Sequence, residues 1–458
     1  MLETSQNGSD IGGPDGTRSI YAIPAASVKG ACHPLSSPAV DVLGIADMTA
    51  TQPQTAIADD AWQGANPLDP AFRADPHPFL KHLREVDPVN ETPLGIWRLS
   101  RYDDCVRLLT QVPTGVRMTD GTFPAENLVP GGGPAEFMLQ QDPPKHTRLR
   151  KLVSKAFTPR AIERLRARAQ EVSDDLIDRV AARGEMDVIA ELALPVPSTM
   201  ICEMMGVPVA DRDRFAEWTA QATHLLAVLL APPEVIERGR AAAGELRAYF
   251  EALIAERRRS LSDDILSDLI RAEEAGDRLS PTELLSQSIG LLIAGFETTI
   301  GLIGNGVHAL LRHPDQLARL QADPSLIGSA VEECLRFNGP IMLTTRYLHA
   351  DAEFGGKRIA KNTQVWAMLY AANRDPAHFT NPERFDITRT DNPHLAFGGG
   401  VHFCLGAHLA RMEAQVAIGT VVRRLRGFEL ATDELEWGRS LFRVLGRLPI
   451  RYHQSRAR

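Results

Sequence analysis

The chain has 458 residues, 44% of them hydrophobic and 24% charged, with a formal net charge of -8. That balance describes an ordinary, mildly acidic globular protein with enough chain to bury a large core, and it argues against nucleic acid as a partner. The five cysteines stand far apart without a CxxC pair, as expected of a reduced cytoplasm rather than of a disulfide framework, and no early apolar stretch reads as a signal peptide or membrane anchor.

Residues 1–60 are rich in Gly, Ser, Pro, Thr and Asp and are expected to form a flexible tail. From Pro67 the pattern tightens, with a helix over 77–85, a strand over 95–99 and an amphipathic helix over 102–109 that places Cys105 in the core. Residues 113–141 carry Gly131, Gly132, Gly133 and several prolines; so long an irregular segment is either a functional loop or a disordered insertion. A basic helix opens at 142–151, with His146 and Arg150 on one face, suited to gripping an anion or to plain solvation. Residues 161–274 read as almost wholly helical, broken at Gly184, at Gly206 to Pro208 and at Pro232 and Pro233. The apolar run 222–230 within them either packs into the core or lines a greasy pocket.

The best-marked helix follows. Ser280 suits the N-cap, Pro281 the first helical position and Glu283 a capping box, and Pro314 stops the pattern after His313, a length of roughly 50 Å. Its middle, 289–303, is apolar on every side, as in a helix that crosses the interior. Glu297, Thr298 and Thr299 interrupt that run, which argues against a membrane span. Ala294 and Gly295 leave room beside the helix just before them. These residues either bind something there, or the threonines bond back to the preceding turn with Glu297 in an ion pair.

Glu333 and Arg336 follow at i, i+3 on another helix. The character then changes to short strands (343–348, 358–369, 442–452) and a turn-rich meander through Asn373, Pro376, Pro382 and Arg384. The meander leads to Phe397, Gly398, Gly399, Gly400, Val401, His402, Phe403, Cys404, Leu405, Gly406. Glycines here permit tight folding and close approach to a flat partner, and the helix read from Leu405 to Val422 puts the sulfur at a helix N-terminus, where a thiolate is favoured. Taken alone, the feature also fits an inert buried thiol.

Together these pieces resemble a cytochrome P-450 of the soluble bacterial type, over about 67–452. The resemblance is carried by the cysteine loop (Phe397, Gly398, Gly400, His402, Cys404, Gly406), the run Ala294, Gly295, Glu297, Thr298, Thr299, the Glu333/Arg336 pair and the His146/Arg150 helix. It implies a mainly α fold with a small β region, a triangular helix-rich prism whose long central helix passes over haem, and one haem domain over 61–458. It implies haem b held by the Cys404 thiolate, with propionates bound by His146, Arg150, Arg346 and His402, and an internal ion network of Glu333, Arg336 and Arg384. Glu297 and Thr298 match the family's proton-delivering acid–alcohol pair, so an O₂-dependent monooxygenase is implied; a peroxide-driven peroxygenase and a non-catalytic haem sensor are the alternatives, and the intact pair speaks against both. Leu226, Leu229, Leu291, Ala294, Gly295, Ile341, Met342 and Phe442 align with the family's substrate-facing segments, which are mostly apolar and suit a hydrophobic small molecule. Electrons would come from a ferredoxin and its reductase, docking on Arg148, Lys151, Lys155 and Arg411. A cytoplasmic monomer is expected. A dinucleotide-binding reading of the glycines fails, because 398–403 lacks the third glycine of GxGxxG.

Overall fold

The computed structural model describes residues 65–66, 69–123, 136–227, 233–274, 279–438 and 442–453. The tail expected over 1–60, residues 124–135 of the long loop and Leu229 lie outside them. The described residues belong to one compact unit, Asp41–Arg458.

Helices dominate. The Pro281–Arg312 helix begins at a full capping box: the Ser280 hydroxyl accepts from Glu283 N, and the Glu283 carboxylate accepts from Ser280 N at 2.8 Å. Its 32 residues extend about 48 Å, and most of its length is buried. Among the described residues it is the one helix apolar and long enough to cross a membrane, but 78% of its most apolar window is buried against protein, so it is a core helix. It packs against the Pro195–Met205, Pro233–Arg257, Ile327–Asn338 and Ala407–Arg424 helices. Close packing explains a mid-helix glycine: a Cβ on Gly301 would stand 2.7 Å from Pro340 Cβ and 2.9 Å from Val444 Cγ2.

Short strands come before, within and after the helical stretch of the sequence. β1 (Val89–Glu91), β2 (Trp97–Leu99), β3 (Thr114–Gly115), β5 (Thr344–Leu348) and β8 (Gln364–Ala367) form one sheet in the order β1-β2-β8-β5-β3. β2 runs parallel to β8, with Trp97 opposite Val365, and β5 runs antiparallel to β8, with Arg346 opposite Val365. β4 (Glu185–Asp187), β9 (Arg426–Leu430) and β10 (Pro449–His453) form a second sheet, and β6 (Ala352–Phe354) with β7 (Lys357–Ile359) a hairpin.

Three sequence expectations change. The reading of 161–274 as helical breaks at β4, whose three residues follow Gly184 and pair with Pro449–Arg451. So short a strand has no periodicity of its own; its partner far along the chain creates it. The strand expected over 358–369 is two strands and the Leu369–Ala372 helix, divided where Asn362 adopts φ 65°. The strand expected over 442–452 shrinks to β10, preceded by two isolated bridges, Phe442 to Ile341 and Leu445 to Trp437.

Candidate active site

The cysteine loop is shaped by its backbone. Gly398 and Gly400 have φ of 69° and 67°, and a Cβ on Gly400 would meet Leu109 O at 2.1 Å, so glycine is required there on both counts. A 3-10 turn spans Gly400–His402, and Cys404 N donates to Phe397 O at 3.0 Å, closing the loop around the cysteine. Phe397 is half-buried against the main core. The helix begins only at Ala407, with Gly406 as its cap, so the sulfur stands before the first turn rather than within it. The cap's N–H still favours a thiolate, as expected of the helix start, but burial opposes it. Cys404 is accessible at its surface yet crowded by protein, and this burial pushes its thiol above the ordinary value, outweighing the Gly406 N–H and the charges of Arg150 and Arg411. Coordination to a metal removes the proton outright.

Four basic side chains converge beside the loop. On the Lys145–Val153 helix, His146 is buried and Arg150 is half-buried. The Arg150 guanidinium donates to Phe403 O at 2.7 Å, tying that helix to the loop. His146 and His402 lie with ring centroids 4.2 Å apart. Burial, then the neighbouring His402 and Arg150, push the His146 imidazole down to about 4, and burial likewise lowers His402. Arg346, on β5, is 6% exposed and donates to Thr345 O at 2.7 Å. Burial pushes it down to about 10.

These residues fit a haem propionate edge. Among the described residues, His146 Nδ1 is buried without a hydrogen-bond partner, and no carboxylate stands within 4.0 Å of the buried Arg346 guanidinium. Such groups gain from an anion that accepts their protons.

Asp142, which spacing did not single out, organises the same region. It accepts from Val116 N at 2.8 Å and Arg117 N at 3.0 Å and stands 3.8 Å from His402 Nε2. Burial works to raise its carboxyl, but His402 and the two N–H groups hold it below the usual range. The start of the 113–141 segment is thereby fastened beside the basic cluster.

In the central helix Leu291 is buried, Gly295 and Thr298 are half-buried and Ala294 is exposed, so one face opens in the middle of an otherwise buried run. Glu297 is 7% exposed. Thr298 Oγ1 donates to Ala294 O at 3.0 Å and Thr299 Oγ1 to Gly295 O at 3.3 Å. The back-bonding alternative therefore holds for both threonines. It leaves the Thr298 hydroxyl its lone pairs, so that oxygen still accepts a proton from a neighbour.

The remaining pocket residues divide. Ile341 and Phe442 are half-buried and form a β-bridge. Met342 is 7% exposed and belongs to a separate core cluster with Phe72, Leu80 and Trp366, so its expected place among substrate-facing residues is corrected: its side chain is taken up by that core. Leu226 lies in the His224–Ala227 3-10 turn.

The ion network differs in one member. Arg336 donates to both oxygens of Glu333, at 2.7 and 2.8 Å, with both side chains fully buried, and also to Asn373 O, Pro382 O and Arg384 O. The expected third side chain, Arg384, is exposed and contributes only its carbonyl; Arg389 takes the place, with Nε 3.2 Å from Glu333 Oε2. Both arginines lie in the same meander, and spacing does not tell them apart.

The docking face also changes. Arg148 pairs with Glu283, and Arg411 donates to Glu332 at 2.7 and 2.8 Å, which leaves Lys151 and Lys155 as the exposed members.

The cytochrome P450 family model matches residues 126–327 and 325–437. Cytochrome P450 107B1 of Saccharopolyspora erythraea is 43% identical over 403 residues, 84% of this chain and 96% of its own. Myxobacterial CYP267B1, solved with myristic acid, is 43% identical with a TM-score of 0.77, covering 85% of this chain and 99% of its own. P450BioI, solved with an acyl carrier protein bearing hexadec-9Z-enoic acid, is 38% identical with a TM-score of 0.77, covering 84% and 100%. The chain therefore belongs to the cytochrome P450 family and has its fold, and it is a haem-thiolate monooxygenase that uses protohaem IX with a cysteine thiolate as axial ligand.

Proposed function

We propose that Cys404 is the axial ligand, that His146, Arg150, Arg346 and His402 hold the haem propionates, and that residues 61–458 form the haem domain. The observation that carries this reading is the accessible Cys404 sulfur in a loop tied by Arg150 to the helix bearing His146, beside a buried Arg346. Haem bound there supplies O₂ binding and activation. The chain's own part is to hold the thiolate, pair the propionates and deliver protons. Thr298 Oγ1 sits at the open face of the central helix, with the buried Glu297 carboxylate next to it in sequence, and a hydroxyl backed by an acid passes protons on to oxygen. The test is Cys404→Ser: the reduced carbon monoxide complex should lose its thiolate-type Soret band, and retention of that band rejects the assignment.

The substrate is a hydrophobic molecule, and a long-chain fatty acyl group is the first candidate. Two solved relatives carry such chains, and Leu291, Ala294, Ile341 and Phe442 offer an apolar lining. Titration with myristic acid should displace water from the iron and shift the Soret band; no shift with fatty acids, but a shift with a steroid or macrolide, redirects the assignment. Electrons come from a ferredoxin and its reductase in the cytoplasm. Their docking surface is Lys151 and Lys155 together with Val401 and Phe403, which are 57% and 43% exposed.

A further inference from the structure

Two adjacent acids on the Ile327–Asn338 helix grip the segment that presents Cys404. Glu333 accepts from Asp386 N at 2.8 Å, from Arg389 and from Asn392 Nδ2 at 3.3 Å, holding the meander. Glu332 takes the other end. One oxygen lies 2.7 Å from Arg411 Nε, and the other 2.8 Å from Arg411 Nη2 and 3.0 Å from His394 Nε2. His394 Nδ1 in turn accepts from Ala396 N at 3.2 Å, directly before Phe397. The Arg411 guanidinium lies over the Phe397 ring, 4.4 Å from its centroid. One carboxylate thus fixes a residue on each side of Cys404 and holds a planar cation over the ring of Phe397, the residue whose main-chain carbonyl accepts from Cys404 N.

A bidentate fork and a ring stack define the guanidinium's position more narrowly than a solvated docking cation needs. Glu332 and Arg411 are 29% and 26% exposed at their side chains, so their charges are only partly screened. Residues around a metal ligand orient it and tune the metal. We propose that Glu332 is a positioning residue for the cysteine loop: by holding Arg411 on Phe397 and bracing His394 it sets the charge felt at the Cys404 sulfur and so the reduction potential of the haem. This rests on Cys404 being the axial ligand.

The charges make the signs specific. Reduction adds an electron, so a local positive charge favours the reduced state. Glu332→Gln leaves the Arg411 guanidinium uncompensated and should make the potential more positive, whereas Arg411→Gln removes the cation and should make it more negative. Glu332→Asp keeps the charge and should fall nearer the parent than Glu332→Gln. Potentials are read by mediated spectroelectrochemical titration of the haem-loaded protein without any redox partner, after each protein's reduced carbon monoxide spectrum has been recorded. Unchanged potentials in both Gln variants, with slower partner-driven reduction in Arg411→Gln, would make Arg411 a docking cation and overturn the proposal. Shifts in the same direction would mean general loosening of the loop and overturn it too. If Glu332→Gln fails to load haem, the sign of the Arg411→Gln shift and the position of Glu332→Asp decide. A parent protein without the thiolate-type Soret band would instead reject the ligand assignment itself.

Discussion

Arg389 Nε stands 3.2 Å from Glu333 Oε2, so the buried Glu333 carboxylate is held by two arginines, Arg336 from its own helix and Arg389 from the meander. Arg384, five residues earlier, contributes only a main-chain carbonyl to Arg336. Arg389→Ala removes a charge-assisted hydrogen bond while Arg336 still compensates the acid, and should destabilise the fold by about 2 kcal/mol. Arg384→Ala keeps its carbonyl and should change stability by less than about 0.5 kcal/mol. Urea unfolding of the two variants checks the difference; equal losses would return Arg384 to the network.

Thr298 donates its proton to Ala294 O and so meets the open face of the central helix through its lone pairs. Thr298→Ala removes that oxygen without enlarging the side chain. Product formed per NADPH should fall by about tenfold or more, with hydrogen peroxide released in its place, while Thr298→Ser restores coupling. Unchanged product per NADPH in the alanine variant would remove Thr298 from proton delivery.

Glu413, on the Ala407–Arg424 helix, is 1% exposed, and among the described residues neither carboxylate oxygen has a hydrogen-bond partner. Burial pushes this carboxyl from an ordinary 4.5 up to about 8. Below pH 4.5 the folded and unfolded chains both keep the proton. Between there and pH 8 only the unfolded chain releases it, so stability falls as pH rises, by about 1.4 kcal/mol per pH unit. At pH 7 the deficit is on the order of 3 kcal/mol. Glu413→Gln should therefore melt higher than the parent at pH 7 and level with it near pH 4. Parallel stability–pH curves for the two proteins would show that Glu413 titrates normally.

Lys151 and Lys155 remain exposed where Arg148 and Arg411 are engaged. Reversing both lysines to Glu should slow ferredoxin-driven reduction several-fold and flatten its dependence on ionic strength, with dithionite reduction unaffected. Stopped-flow traces at low and high salt decide it, and unchanged traces move docking elsewhere.

Local chemistry made much of this molecule readable in advance. Ser280, Pro281 and Glu283 mark a helix start because each satisfies an end group within its own turn, and the bounds of the 281–312 helix follow directly. The glycines at 398 and 400 announce a backbone that other residues resist, and so identify the cysteine loop. Residues whose role depends on a distant partner were not legible in that way. β4 exists because β10 pairs with it, and Met342 faces a core built from Phe72, Leu80 and Trp366. Arg389 rather than Arg384 reaches Glu333, and Asp142 caps the N–H groups of Val116 and Arg117. By itself the sequence determined the family, the long helices and the residue types at the site, since these follow from periodicity, caps and backbone permission over a few residues. Only the tertiary structure decided which charges meet, because an ion pair is set by where two remote segments are packed, and spacing along the chain carries no record of that.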